Sequence, residues 1–236
     1  MAGVATECPQ LPPELWEHIH SFMPLERRLQ ARRVSSGFRA LIDRGTAHVN
    51  LATVNINDAH GRGHVLPASG CLQLTMWRRA GYQSSLHAWT QARVDLPFQS
   101  REVLVEMRMD RLRPNGGYFN LVLLRGDGAE GELEVKFDDA ALGAYHAAGP
   151  NKTTDADFRE PAGVVAARWF RLHAKLGRDS EGQGVVRLSV NGALVKSVPL
   201  RDGWRAIRAV VVKGYNAAHN ARFPKEQFYR HLVAAR

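Results

Sequence analysis

From residue 103 onward the chain repeatedly alternates apolar and polar residues with a period of two. This pattern restricts the fold more than any other feature of the sequence. Val103, Val105, Met107 and Met109 alternate with Leu104, Glu106 and Arg108. Leu133, Val135 and Phe137 alternate with Glu132, Glu134 and Lys136, and Phe170, Leu172, Ala174 and Leu176 with Trp169, Arg171, His173 and Lys175. Successive side chains of a strand point to opposite faces, so such segments form strands with one buried face. Residues 118–125 run as a strand into the turn Gly126-Asp127-Gly128. Val186, Leu188 and Val190 lead into Asn191-Gly192, the strongest short hairpin signal, and 193–200 return as the partner strand. Segments 207–212 and 228–233 add two more strands. No helix-length periodic segment intervenes. The expected fold is mainly β: an antiparallel sandwich behind a small α-helical module.

That module occupies the first forty residues. Leu15, Ile19, Phe22 and Met23 recur at offsets of four, three and one, placing them on one helical face. Pro13 suits a first-turn position, and Pro24 ends the helix, because a residue before proline is driven out of the α region. Leu25 and Leu29 mark a second short helix. Ser35 or Ser36 starts a third, with Phe38, Leu41 and Ile42 on its apolar side. Three short helices in about thirty residues bury too little surface to stand alone. Their apolar faces therefore require another surface, from this chain or from a partner.

Residues 11–42, LPPELWEHIHSFMPLERRLQARRVSSGFRALI, resemble an F-box. The correspondence runs without a gap from Leu11-Pro12 through Glu14-Leu15, Ile19 and Phe22-Met23 to Val34-Ser35, Phe38 and Leu41. The resemblance implies a three-helix F-box that docks onto a Skp-type adaptor, and through it onto a cullin–RING ubiquitin ligase. Leu11, Pro12, Leu15, Ile19, Phe22, Val34 and Phe38 are the residues it assigns to adaptor binding. The family tends to carry apolar residues at the positions of Arg28 and Arg33, an aromatic, often Trp, at that of Phe38, and often an acid at that of Arg27. The alternative reading is a helical cap packed on the domain that follows.

Residues 169–200 resemble the late strands of concanavalin-like and laminin-G-like jelly-roll domains, which often pair a Trp-initiated strand with a Val-Asn-Gly hairpin. The resemblance implies a jelly-roll β-sandwich over 49–236, with carbohydrate or protein as the usual class of ligand. The expected organisation is a tail at 1–10, the F-box at 11–43, a junction at 43–48 and the sandwich beyond.

The chain has 32 Lys and Arg against 23 Asp and Glu, a formal charge of +9. The excess is spread along the chain and favours acidic partners. Arg27, Arg28, Arg32 and Arg33 form its tightest cluster, and nucleic-acid binding ranks last among the readings. Two cysteines, Cys8 and Cys71, do not make a disulfide framework. Neither a signal peptide nor a membrane-length apolar run is present, so the expected setting is intracellular, cytoplasmic or nuclear, without a membrane partner.

Chemistry-bearing patterns are sparse. Glu130, Glu132 and Glu134 have the two-residue strand spacing that retaining glycosidases use for paired carboxyls. Gly131 and Lys136 break that pattern, and acids alternating with Lys opposite Leu133, Val135 and Phe137 read as a solvated sheet face. The histidine pairs His18/His20 and His60/His64 lack metal-ligand spacing, as do Asp138-Asp139 and Asp155/Asp157, so no metal or cofactor is expected. Arg78, Arg79 and Tyr82, beside Trp77, carry residue types enriched in interface hot spots and are the candidates for binding a client protein or glycoprotein. The expected function is a non-enzymatic substrate receptor of an SCF-type ligase. A glycan- or protein-binding sandwich without a ligase role is second, and a glycoside hydrolase third.

Overall fold

The period-two segments become strands, and their buried members face one another between two sheets. In the computed structural model the described residues are 12, 15, 19, 22–34, 36–51, 55–59, 61–66, 71–76, 88–109, 118–125, 132–138, 141–147, 156–165, 167–200, 204–216 and 225–236. The chain divides into two compact units, Met1–Thr46 and Ala47–Arg236.

In the first unit Leu15, Ile19 and Phe22 are helical. Pro24, with ψ at 141°, breaks the path, and a helix resumes over Leu25–Ala31. A longer helix spans Ser36–Gly45. Leu25 and Ile42 are buried, as is Arg28. Arg32 bridges to Asp43, which ties the two described helices together.

The strands are β1 (Thr46–His48), β2 (Asn55–Ala59), β3 (Gly61–Leu66), β4 (Cys71–Met76), β5 (Ala88–Ser100), β6 (Glu102–Met109), β7 (Tyr118–Arg125), β8 (Glu132–Asp138), β9 (Ala141–Ala147), β10 (Ala156–Pro161), β11 (Trp169–Arg178), β12 (Gly184–Val190), β13 (Ala193–Pro199), β14 (Ile207–Asn216) and β15 (Lys225–Ala235). One sheet runs β13-β12-β11-β6-β15-β4-β3, with β1 also paired to β15. The other runs β10-β9-β8-β7-β14-β5-β2. Pairings along both paths are antiparallel. The fold is an antiparallel β-sandwich of jelly-roll type.

The core lies between the sheets. Val103, Val105 and Met107 of β6 and Phe170, Leu172 and Ala174 of β11 meet Leu133, Val135 and Phe137 of β8 and Val210 and Val212 of β14. Phe137 and Phe170 bridge the sheets with ring centroids 5.1 Å apart at 59°, a tilted pairing that suits the ring quadrupoles. Tyr229 is fully buried, and its hydroxyl donates to Oε1 of Gln227 at 3.1 Å.

Asn191 and Gly192 have φ of 51° and 85°, both in the left-handed region that a two-residue hairpin of this type requires. The turn is anchored to β11: the Asn191 amide donates to the Arg171 carbonyl, and Asn191 Oδ1 accepts from the Arg171 amide, each at 2.9 Å. Replacing Gly192 by Val forces a β-branched side chain into that region. The expected cost is about 1–3 kcal/mol, read as a lower urea midpoint at unchanged slope.

Candidate functional sites

Two surfaces carry unusual side chains for their positions. The first is apolar and lies in the N-terminal unit. Six large apolar residues are exposed among the described residues: Leu15, Ile19, Phe22, Val34, Val165 and Leu194. Four of these fall within the first 46 residues. Their exposures are 48% for Leu15, 41% for Ile19, 73% for Phe22 and 75% for Val34. Leu15 and Ile19 are one helical turn apart and can present one face. Pro12 is also exposed, and its carbonyl accepts from the Leu15 amide at 3.0 Å. Phe38 lies within the Ser36–Gly45 helix, and Leu11 falls outside the described residues. Arg28, at a position where the sequence resemblance favours an apolar residue, is buried beside Leu25. Its long methylene stem lets arginine occupy an apolar site.

The second surface is the outward face of the sheet that contains β6. The alternation that sends Val103, Val105 and Met107 inward leaves Glu106 and Arg108 on the opposite side. Pairing sets Glu106 between Arg171 of β11 and Arg230 of β15. Arg171 Nε donates to Glu106 Oε1 at 2.7 Å, and Arg230 Nε donates to Oε2 at 2.8 Å. One register step along, Arg108 lies between Trp169 and Phe228. Its guanidinium carbon is 5.6 Å from the Trp169 ring centroid and 4.3 Å from that of Phe228. Arg230 lies 3.9 Å from the Trp169 centroid. Trp169, which the alternation sets opposite Phe170 and Leu172, is half-exposed on the outward face, while Trp204 is buried. Toward the other end of β6, Glu102 meets Lys175 at 3.1 Å and His173 at 3.2 Å.

Burial acts to raise the Glu106 pKa, but the two arginine hydrogen bonds and their charges outweigh it, and the carboxyl sits below its usual value. A carboxylate whose pKa is lower in the folded state stabilises the fold above the unfolded pKa. That contribution fades as pH falls through the lower folded value. Glu106→Gln should therefore cost about 1 kcal/mol at neutral pH, and the gap from wild type should close as pH drops below the ordinary carboxylate range. Urea unfolding across that range measures it.

The acid-rich strand behaves differently. Leu133, Val135 and Phe137 are buried, and Glu132, Glu134 and Lys136 alternate with them on the other face of β8, each half-buried. Glu134 lies opposite Val122 and Tyr145, and Lys136 opposite Asn120 and Gly143. Glu130 lies outside the described residues. Changing Glu132 and Glu134 to Gln keeps the shape of both side chains and should leave the protein folded. A β-glucan hydrolysis assay on both proteins tests for catalysis, and no cleavage by the wild type is expected.

Trp77, Arg78, Arg79 and Tyr82 lie outside the described residues, as do His18, His20, His60, Asp139 and Asp155. Among the described residues no group of three His, Cys, Asp or Glu is placed to hold a metal ion. Nor is any helix there long and apolar enough to cross a membrane.

Comparison with known proteins separates the two units. Residues 8–46 match the family model of the F-box domain. No curated protein gives a significant match to the chain. Among solved structures, the endo-β-1,4-glucuronan lyase of the fungus Trichoderma reesei is 14% identical with a TM-score of 0.54, covering 81% of this chain and 94% of the lyase. The Bacillus licheniformis β-glucanase is 12% identical with a TM-score of 0.55, covering 81% of this chain and 98% of the glucanase. The Crh5 transglycosylase is 13% identical with a TM-score of 0.55, over 80% of this chain and 82% of its own. At these identities the likeness is one of fold, the concanavalin-like jelly roll.

Proposed function

We propose that this chain, which carries an F-box domain ahead of a concanavalin-like β-sandwich, is a substrate-receptor subunit of an SCF-type cullin–RING ubiquitin ligase. The F-box supports a ligase-adaptor role. The observation that carries the finer reading is the exposure of four large apolar residues of the N-terminal unit, Leu15, Ile19, Phe22 and Val34, the kind of surface that marks an interaction site. Pro12, Leu15, Ile19, Phe22 and Val34, with Leu11 and Phe38, meet a Skp-type adaptor. The sandwich captures a client protein or glycoprotein.

The physical work is tethering. A client held on the sandwich gains a high effective concentration near the ubiquitin-carrying enzyme of the same complex. No catalytic side chain of this chain takes part. Such a complex works in the cytoplasm or the nucleus. Affinity purification of the tagged chain from cells, followed by mass spectrometry, tests the reading. Adaptor and cullin peptides are expected in the eluate. Their absence, with other proteins recovered, contradicts it.

A further inference from the structure

We infer that the outward face of the sheet containing β14 is the client-binding surface, and that it takes a proline-rich segment of the client that carries acidic residues. The inference rests on the reading of the sandwich as the client-capturing unit. β14 lies between β5 and β7. Ala92 and Val94 of β5, Val210 and Val212 of β14 and Leu123 of β7 belong to the core. Alternation therefore places Trp89, Tyr215 and Tyr118 on the other face of these three strands. The ladders make them direct neighbours: Tyr215 is opposite Trp89 on one side and Tyr118 on the other. The next row on this face is Gln91, Lys213 and Asn120, continued by Lys136 of β8. Gln91 and Lys213 are half-buried, and no described residue forms an ion pair with Lys213.

Spacing and chemistry select the ligand. Neighbouring strands lie about 4.8 Å apart, so Trp89 and Tyr118 are about 9.5 Å apart across the strands. A polyproline helix rises about 3.1 Å per residue with three residues per turn, about 9.3 Å. Laid across the strands, it brings prolines at i and i+3 to Trp89 and Tyr118, with Tyr215 between them, and aromatic rows are what such segments dock on. Proline has no N–H, so the segment presents carbonyl acceptors. Gln, Lys and Asn of the second row supply donors. Lys213 favours an acidic residue beside the prolines over a basic one. The hydroxyls of a sugar both donate and accept, whereas lysine only donates, and this row holds no carboxylate to receive their protons. A nucleic-acid backbone needs a long cationic track, whereas Glu132, Glu134 and Asp95 stand on the same face of β8 and β5.

The test uses the full-length protein and a fluorescein-labelled peptide of three Pro-Pro-Glu repeats. Peptides of three Gly-Gly-Glu or three Pro-Pro-Lys repeats, cellohexaose and an eight-residue oligothymidine, each labelled, are the comparison probes. Fluorescence anisotropy should show Pro-Pro-Glu binding that weakens with salt, at least tenfold tighter than any other probe. W89A/Y118A should weaken it about tenfold or more. K213Q should weaken it several-fold and flatten its salt dependence, while K196Q, on the other sheet, leaves it unchanged. Should the double variant fail to fold, K213Q and the Gly-Gly-Glu peptide decide. An absence of Pro-Pro-Glu binding overturns the inference. So does equal binding of the Gly-Gly-Glu or Pro-Pro-Lys peptide, equal binding by wild type and K213Q, or tighter binding of the sugar or the oligothymidine. Adaptor binding is measured on the same preparation. A protein that binds adaptor but not the Pro-Pro-Glu peptide sinks this inference alone, and one that binds the peptide but not adaptor sinks the ligase reading alone.

Discussion

Replacing Leu15 and Ile19 together by alanine should lower affinity for a Skp-type adaptor about a hundredfold or more, and leave the melting temperature of the protein nearly unchanged. Both side chains are exposed in the N-terminal unit, at 48% and 41%, so truncation removes little packing within the chain. In a complex they would be covered. Truncating a hot-spot residue costs about 2 kcal/mol or more, so two neighbours whose effects nearly add lose about 3–5 kcal/mol. At about 1.4 kcal/mol per decade, that is two to three decades of affinity. If these residues instead served to cap the following domain, the variant would behave as a core truncation. It would lose about 2–5 kcal/mol of stability per residue, and the wild type would ignore the adaptor. Calorimetric titration with adaptor and thermal unfolding, run on both proteins, separate the outcomes.

The opposite pattern is expected for Phe137→Ala. Phe137 is buried and pairs with Phe170 across the two sheets. Deleting the ring leaves a cavity that the strands can only partly close, since each is held on both sides by its ladder. The expected loss is about 3–5 kcal/mol of stability. For a domain of this size, that is a fall in melting temperature of about 6–20 °C. Adaptor affinity should persist at temperatures where the variant stays folded, because the exposed apolar patch belongs to the other unit.

The two units were legible in the sequence to different depths. In the sandwich, alternation alone locates β6, β8, β11 and β12, because apolar residues recur there at every second position, although Glu102, Leu104 and Glu106 are also buried on the other face of β6. It passes over β3 and β9, Gly61–Leu66 and Ala141–Ala147, where glycine and alanine blunt the contrast between faces. It also passes over β5, although Ala92, Val94 and Leu96 alternate there with Arg93 and Asp95. Pro97 and the thirteen-residue length mask that signal. In the helical unit, the residues resembling the F-box are readable from spacing, but the burial of Arg28 is not, since nothing local marks that position as covered.

The Glu106 cluster was not legible at all. Glu106 lies 65 residues from Arg171 and 124 from Arg230. Only the sheet order, which puts β11 and β15 on either side of β6, brings them together. A lone acid on the polar side of a strand looks the same in sequence whether it faces water or two arginines. The same holds for Trp169 and Phe228, which belong to β11 and β15 and meet only across Arg108. Surfaces assembled across strands are set by topology, and topology is a non-local property of the chain.

Docking of a ligase adaptor by the N-terminal unit is what makes this chain a substrate receptor. The most direct measurement is size-exclusion chromatography of the purified chain mixed with a purified Skp-type adaptor and its cullin. One co-eluting peak containing all three is expected, and it disappears when Leu15 and Ile19 are replaced by alanine. A wild-type chain that elutes alone at micromolar concentrations, beside an intact adaptor–cullin peak, would contradict it.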